Sequence, residues 1–126
     1  MRYAPLLFAA ALAMAQLGPQ PGPLDEEIRK QLNAGKFRET EPAVRKMLLD
    51  AETQDGPESP AVGRALDFLL EIANRSGRKL DEQQLALAAR AIALKEKLYG
   101  ANSRQAARTI RLVAEMYIDG RQLRQA

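Results

Sequence analysis

Along this chain the apolar residues recur at helical spacing. Leu66, Leu69, Leu70 and Ala73 fall at i, i+3, i+4 and i+7, and Ile110, Val113, Ala114 and Tyr117 repeat the stripe 44 residues later. That spacing collects one apolar face on each of two helices, and both faces are expected to turn toward the core. Val44, Met47, Leu48 and Ala51 form an earlier stripe of bulkier residues. Ala88, Ala91, Ile92 and the run Lys95 to Tyr99 offer small residues where a neighbouring helix could approach closely. Alanine and leucine are frequent and β-branched residues are scattered, which favours helix over strand. The pattern predicts an all-α chain with helices near residues 24–34, 38–53, 60–76, 81–99 and 103–118.

The breaks between these stretches are themselves periodic. Gly35, Gly77 and Gly120 lie 42 and 43 residues apart, and Gly56 and Gly100 lie 44 apart. Each glycine follows a helical run, and Gly35, Gly77, Gly100 and Gly120 suit the left-handed position that ends a helix. Ser59-Pro60 sets a capping hydroxyl before a first-turn proline, and Glu41-Pro42 places a second proline where a missing N–H costs little. Helix, glycine turn, helix, glycine corner is the grammar of stacked helical hairpins.

Three segments resemble the tetratricopeptide repeats, specifically the variant of roughly 42 residues seen in kinesin light chains and many bacterial proteins. Gly35-Lys36-Phe37-Arg38-Glu39-Thr40-Glu41-Pro42 is similar to its turn, and Gly56-Pro57-Glu58-Ser59-Pro60-Ala61-Val62 to its corner. The run from Ala91 to Gly100 and the tetrapeptide Ala114-Glu115-Met116-Tyr117 resemble parts of its helices. The resemblance implies an α-solenoid of antiparallel helical hairpins, about two and a half repeats over residues 24–126, with the last hairpin incomplete. It also implies that the first helices of successive repeats line a groove that holds a protein or peptide. The family's paired asparagines are replaced by Asp67-Phe68 and Arg111-Leu112, so its amide grip on an extended peptide does not carry over to these positions.

Ahead of the repeats, Met1-Arg2, the uncharged run Pro5 to Ala15 and the small residues of Ala13-Met14-Ala15 read as a signal peptide over 1–15. The run is too short for a bilayer-spanning helix, so no permanent membrane anchor is expected. A Pro/Gly-rich spacer follows over 16–23, and the protein is expected to be exported to the periplasm or beyond.

Composition narrows the chemistry. The sequence has no histidine and no cysteine. It therefore lacks the commonest general base, thiolate nucleophiles and the sulfur and imidazole ligands of zinc. The adjacent carboxylates Glu26-Glu27 and Asp81-Glu82 splay about 100° apart on a helix and suit first-turn charges better than a catalytic pair. Net charge is +3; the local excess of Arg104, Arg108, Arg111, Arg121 and Arg124 reads as a solvated face and not as a nucleic-acid site. No enzyme activity and no cofactor or metal are expected.

The expected function is that of a protein-protein interaction scaffold or adaptor. Its groove candidates are Arg64, Asp67, Glu71 and Asn74 on one first helix and Arg108, Arg111, Glu115 and Ile118 at matching places on the next. Two alternatives stay open. The chain could be the N-terminal repeat region of a longer exported enzyme or sensor, or a self-assembling structural protein pairing through its incomplete last hairpin. The segment Arg121 to Ala126 is too short to cover the preceding hairpin, so the face bearing Ile110, Val113 and Tyr117 should be incompletely buried within this chain.

Overall fold

Each helix opens and closes where local chemistry provides a partner for its free backbone groups. The computed structural model describes residues 22–78 and 80–125, and for 120–125 the backbone alone. It contains five helices: α1 (Pro23–Asn33), α2 (Phe37–Asp55), α3 (Pro60–Arg75), α4 (Glu82–Tyr99) and α5 (Arg104–Gln125), with no strand among the described residues. The expected signal peptide and residues 16–21 of the spacer lie outside the described residues. The last two spacer residues belong instead to α1, where Pro23 takes the first turn and the Gly22 N–H donates to Asp25 Oδ2 at 2.8 Å. At the head of α3 the Ser59 hydroxyl accepts from the Val62 N–H, and at the head of α4 Asp81 accepts from Gln84.

Two kinds of turn alternate. Gly35 and Gly77 close α1 and α3 with φ of 77° and 69°, and each turn returns the same pair of backbone hydrogen bonds to the end of its helix. Gly56 and Gly100 close α2 and α4 with φ of 87° and 95° and ψ of 165° and 153°. Side chains other than glycine are strained at these φ values.

Three expectations need correction. Pro42 stands in the second turn of α2, past the free N–H groups of the first turn, because the helix opens at Phe37, which packs against the core. Gly120 does not end a helix: α5 continues through it to Gln125. A glycine inside a helix costs only about 1 kcal/mol, and no described helix follows to reward a turn there.

The third correction concerns the stripe on α5. Val113 is buried, but Ile110, Ala114 and Tyr117 are exposed, and the inward face consists of Ala106, Thr109, Val113 and Met116. Burial requires a neighbour, and α5 has α3 and α4 against one side only.

The core lies in two clusters joined by α3. Ile28 and Leu32 of α1 and Val44 of α2 pack with Phe68, Leu69 and Ile72. Leu66, Leu70 and Ala73 pack with Ala88, Ala91 and Leu94 of α4 and Val113 and Met116 of α5. α3 is therefore apolar nearly all round and keeps one polar stripe. Burying a side chain such as Leu66 or Leu70 contributes roughly 1.5–3 kcal/mol, so the fold depends on this helix most.

Candidate functional site

The polar stripe of α3 faces a groove of about 840 Å³ with α1 on one side and α5 on the other. Asp25, Glu26 and Arg29 come from α1, and Arg64, Asp67, Phe68, Glu71, Asn74 and Arg75 from α3. α4 contributes Lys95 and Tyr99, and α5 contributes Gln105, Arg108, Arg111, Leu112 and Glu115. Seven of the eight residues singled out from sequence thus line one groove: Arg64, Asp67, Glu71, Asn74, Arg108, Arg111 and Glu115. Ile118 is not in its lining and stands exposed on α5.

Ion pairs across helices hold the walls. Arg29 Nη1 donates to both Glu71 oxygens at 2.6 and 2.8 Å, and Arg75 reaches Glu71 at 3.5 Å and the Asn33 side-chain oxygen at 3.4 Å. Together with Asp25 beside Arg64, these contacts advance along α1 and α3 in step, so the two helices run side by side in the same direction. The guanidinium of Arg29 lies 5.3 Å from the centre of the Phe68 ring, and that of Arg75 lies 5.4 Å from the Phe37 ring. Stacking of this kind fixes the orientation of an arginine as well as its charge.

Beneath the groove, three helices meet at Asp67. Lys95 reaches from α4 and its Nζ donates to Asp67 Oδ2 at 2.8 Å, while the Thr109 hydroxyl on α5 donates to Oδ1 at 2.9 Å. Lys95 is only 7% exposed. It can pass because Gly63 lies in its path: a Cβ there would sit 3.0 Å from Lys95 Cε. Nearby, burial pushes the Tyr99 phenol above its ordinary pKa, against an opposing pull from Arg64.

Two places are less fully matched. Arg64 Nε lies 3.4 Å from Asp25 Oδ2, and Arg64 Nε and Nη1 and Asp25 Oδ1 are buried without hydrogen-bond partners among the described residues. Arg108 is exposed and makes no ion pair among the described residues, whereas neighbouring Arg111 pairs with Glu115 at 3.1 Å.

Thr109 beside Asp67 has the elements of a nucleophile and a base, yet Thr109 is 0% exposed and Asp67 is already engaged by a lysine. Among the described residues no group of three His, Cys, Asp or Glu is placed to hold a metal, and no helix is long and apolar enough to cross a membrane.

The spacing of polar residues on α3 and α5 was enough to find most of this wall. The contribution of α1 was missed, because its charges read as ordinary first-turn and surface residues. Lys95 shares its stripe with the small residues of α4, and its place at i+7 and i+4 from buried Ala88 and Ala91 is the sequence sign of a buried ion pair. Comparison with protein-family models, with curated proteins and with solved structures finds no match.

Proposed function

We propose that this protein is a non-catalytic scaffold or adaptor of the tetratricopeptide type: a solenoid of antiparallel helical hairpins, about two and a half repeats long, that holds a protein or peptide segment in the groove along α1, α3 and α5. The observation that carries this reading is the groove itself. Its α1–α3 wall is held by ion pairs between the two helices, and Asp67 ties α3 to α4 and α5 beneath it, so the surface is organised before a partner arrives, and pre-organisation lowers the entropic cost of binding. The paired turns at Gly35 and Gly77, and at Gly56 and Gly100, support the repeat architecture.

The exposed guanidinium of Arg108, with Arg64 across the groove, favours a segment carrying a carboxylate, which arginine can grip with two hydrogen bonds. Phe68 and Leu112 supply apolar surface beside it. Export to the periplasm or beyond, directed by the signal at residues 1–15, is part of the same proposal, and a partner is to be sought there.

Affinity capture from a periplasmic fraction tests the reading. Arg108→Glu, at an exposed position, is expected to preserve helical content by circular dichroism and to weaken capture by about tenfold, as loss of a charge-assisted contact does. The Arg64→Glu/Arg108→Glu double substitution is expected to abolish it. Capture that survives the double substitution in a folded protein would place partner binding elsewhere.

A further inference from the structure

We infer that the outer face of α5 pairs with the same face of a second copy of this chain, the two helices running antiparallel about a two-fold axis. The register between α3 and α5 defines that face. Both helices are capped by serines 44 residues apart, Ser59 and Ser103, whose hydroxyls accept from Val62 and Ala106. At that offset Val62, Ala65, Leu69 and Ile72 correspond to Ala106, Thr109, Val113 and Met116, and all eight are buried. The other half of the apolar surface differs in its surroundings. Leu66, Leu70 and Ala73 are covered by α4 and α5. Their counterparts Ile110, Ala114 and Tyr117 are exposed, Ile110 and Tyr117 by 42% and 52%. α5 thus carries the surface that in α3 lies beneath another helix.

The size pattern on this face indicates its occupant. Ala107, Ile110, Ala114 and Tyr117 alternate small and large along the exposed side. In an antiparallel pair Ala107 lies opposite Tyr117 of the other copy, and Ile110 lies opposite Ala114. Residue 112 is the midpoint of both pairings, so a single two-fold axis satisfies them together. Alanines already serve this way inside the protein, where Ala88 and Ala91 of α4 pack in the cluster of Leu66 and Leu70.

Charge selects the antiparallel sense. Arg104, Arg108 and Arg111 lie in the first half of α5, and the second half carries Glu115 and Asp119 together with Arg121 and Arg124; in a parallel pair every charge is level with its own copy, whereas about residue 112 Arg108 comes level with residue 116, beside Glu115, and Arg104 with residue 120, beside Asp119. Head-to-tail stacking onto α1 fits less well. With Gly35 and Gly77 aligned, the α1 positions matching Leu69 and Ile72 are the exposed Glu27 and Lys30. An isologous pair closes on itself, whereas head-to-tail addition would continue. One helix of 22 residues spans roughly 33 Å, which places the contact at the small end of specific interfaces and makes the dimer a weak one.

Sedimentation equilibrium of the purified chain from about 1 to about 100 μM covers the range for such a dimer. A monomer–dimer equilibrium is expected there, with Tyr117→Lys and Ile110→Lys each weakening association by about tenfold or more. Both side chains are exposed in the single chain, so helical content should be unchanged, and neither lines the groove. The sequence has no cysteine, which permits a direct register test. Mixing Ile110→Cys and Ala114→Cys chains under mild oxidation should give the mixed disulfide dimer, and Lys46→Cys on exposed α2 should give none. A monomer throughout, open-ended assemblies, a dimer indifferent to both lysine substitutions, or equal cross-linking at residue 46 would overturn the inference.

Discussion

At Glu41 a single carboxylate joins α2 to the turn after α3. Arg78 grips both its oxygens at 2.7 and 2.8 Å, and Arg45 approaches from the next turn at 3.1 Å. The Arg78 hydrogen bonds lower the Glu41 pKa from 4.5 to about 2 against a smaller opposing effect of burial. Because the folded state binds this proton less tightly than the unfolded chain, the pair stabilises the fold fully above the ordinary carboxylate range. That stabilisation is lost as pH falls from about 4.5 toward 2. The pair lies at the surface, and solvent screening limits its contribution to about 1 kcal/mol. Glu41→Gln is therefore expected to cost about 1 kcal/mol at pH 7 in urea unfolding, with the difference from the parent protein vanishing near pH 2. An unchanged difference across that interval would mean that the charge is not what stabilises the turn.

Among the helices, α3 and α4 show how a sequence sets the distance between two elements. Gly63 is buried, and Lys95 crosses directly over it on its way to Asp67. A glycine in a helix interior normally costs about 1 kcal/mol relative to alanine, and here the lost side chain provides the passage. Gly63→Val would add branched bulk where even a Cβ is tight, forcing Lys95 aside or separating the helices. The expected loss is about 2–3 kcal/mol, as for overpacked cores, measured by thermal and urea unfolding. Parent-like stability in this variant would show that the passage is not needed. The pattern of small residues on α4 was legible because alanine at helical spacing has few other uses. The identity of its partner was not, since a lysine on the same stripe reads as exposed until another helix supplies its counter-charge.

Across the whole molecule, the Asp67 cluster ties α3, α4 and α5 into one unit beneath the groove. Asp67→Ala leaves the Lys95 ammonium buried without its partner, and breaking such a pair is expected to cost about 3 kcal/mol. Asp67→Ala/Lys95→Met should recover much of that loss, because an apolar side chain of similar length removes the uncompensated charge. Urea unfolding of the two single variants and the double variant checks this: additive losses would mean that the two side chains act independently. Most of the helices and turns were legible in the sequence because capping, glycine geometry and apolar period are local. Most of the α3 and α5 groove wall was legible for the same reason. The α1 wall was not, because Arg29 and Asp25 acquire their places only when α1 lies beside Glu71 and Arg64.

The sequence by itself determined that the chain is helical, where four of the five helices begin and end to within about two residues, and which stripe of α3 is polar, since each of these depends on residues no more than one or two turns apart. Tertiary structure decided which of two apolar stripes on α5 is buried, whether Gly120 turns or continues, and that Lys95 belongs to the interior. In each of those cases the local preference was weak or divided. The outcome rested on which neighbouring helix was present to cover a face or neutralise a charge.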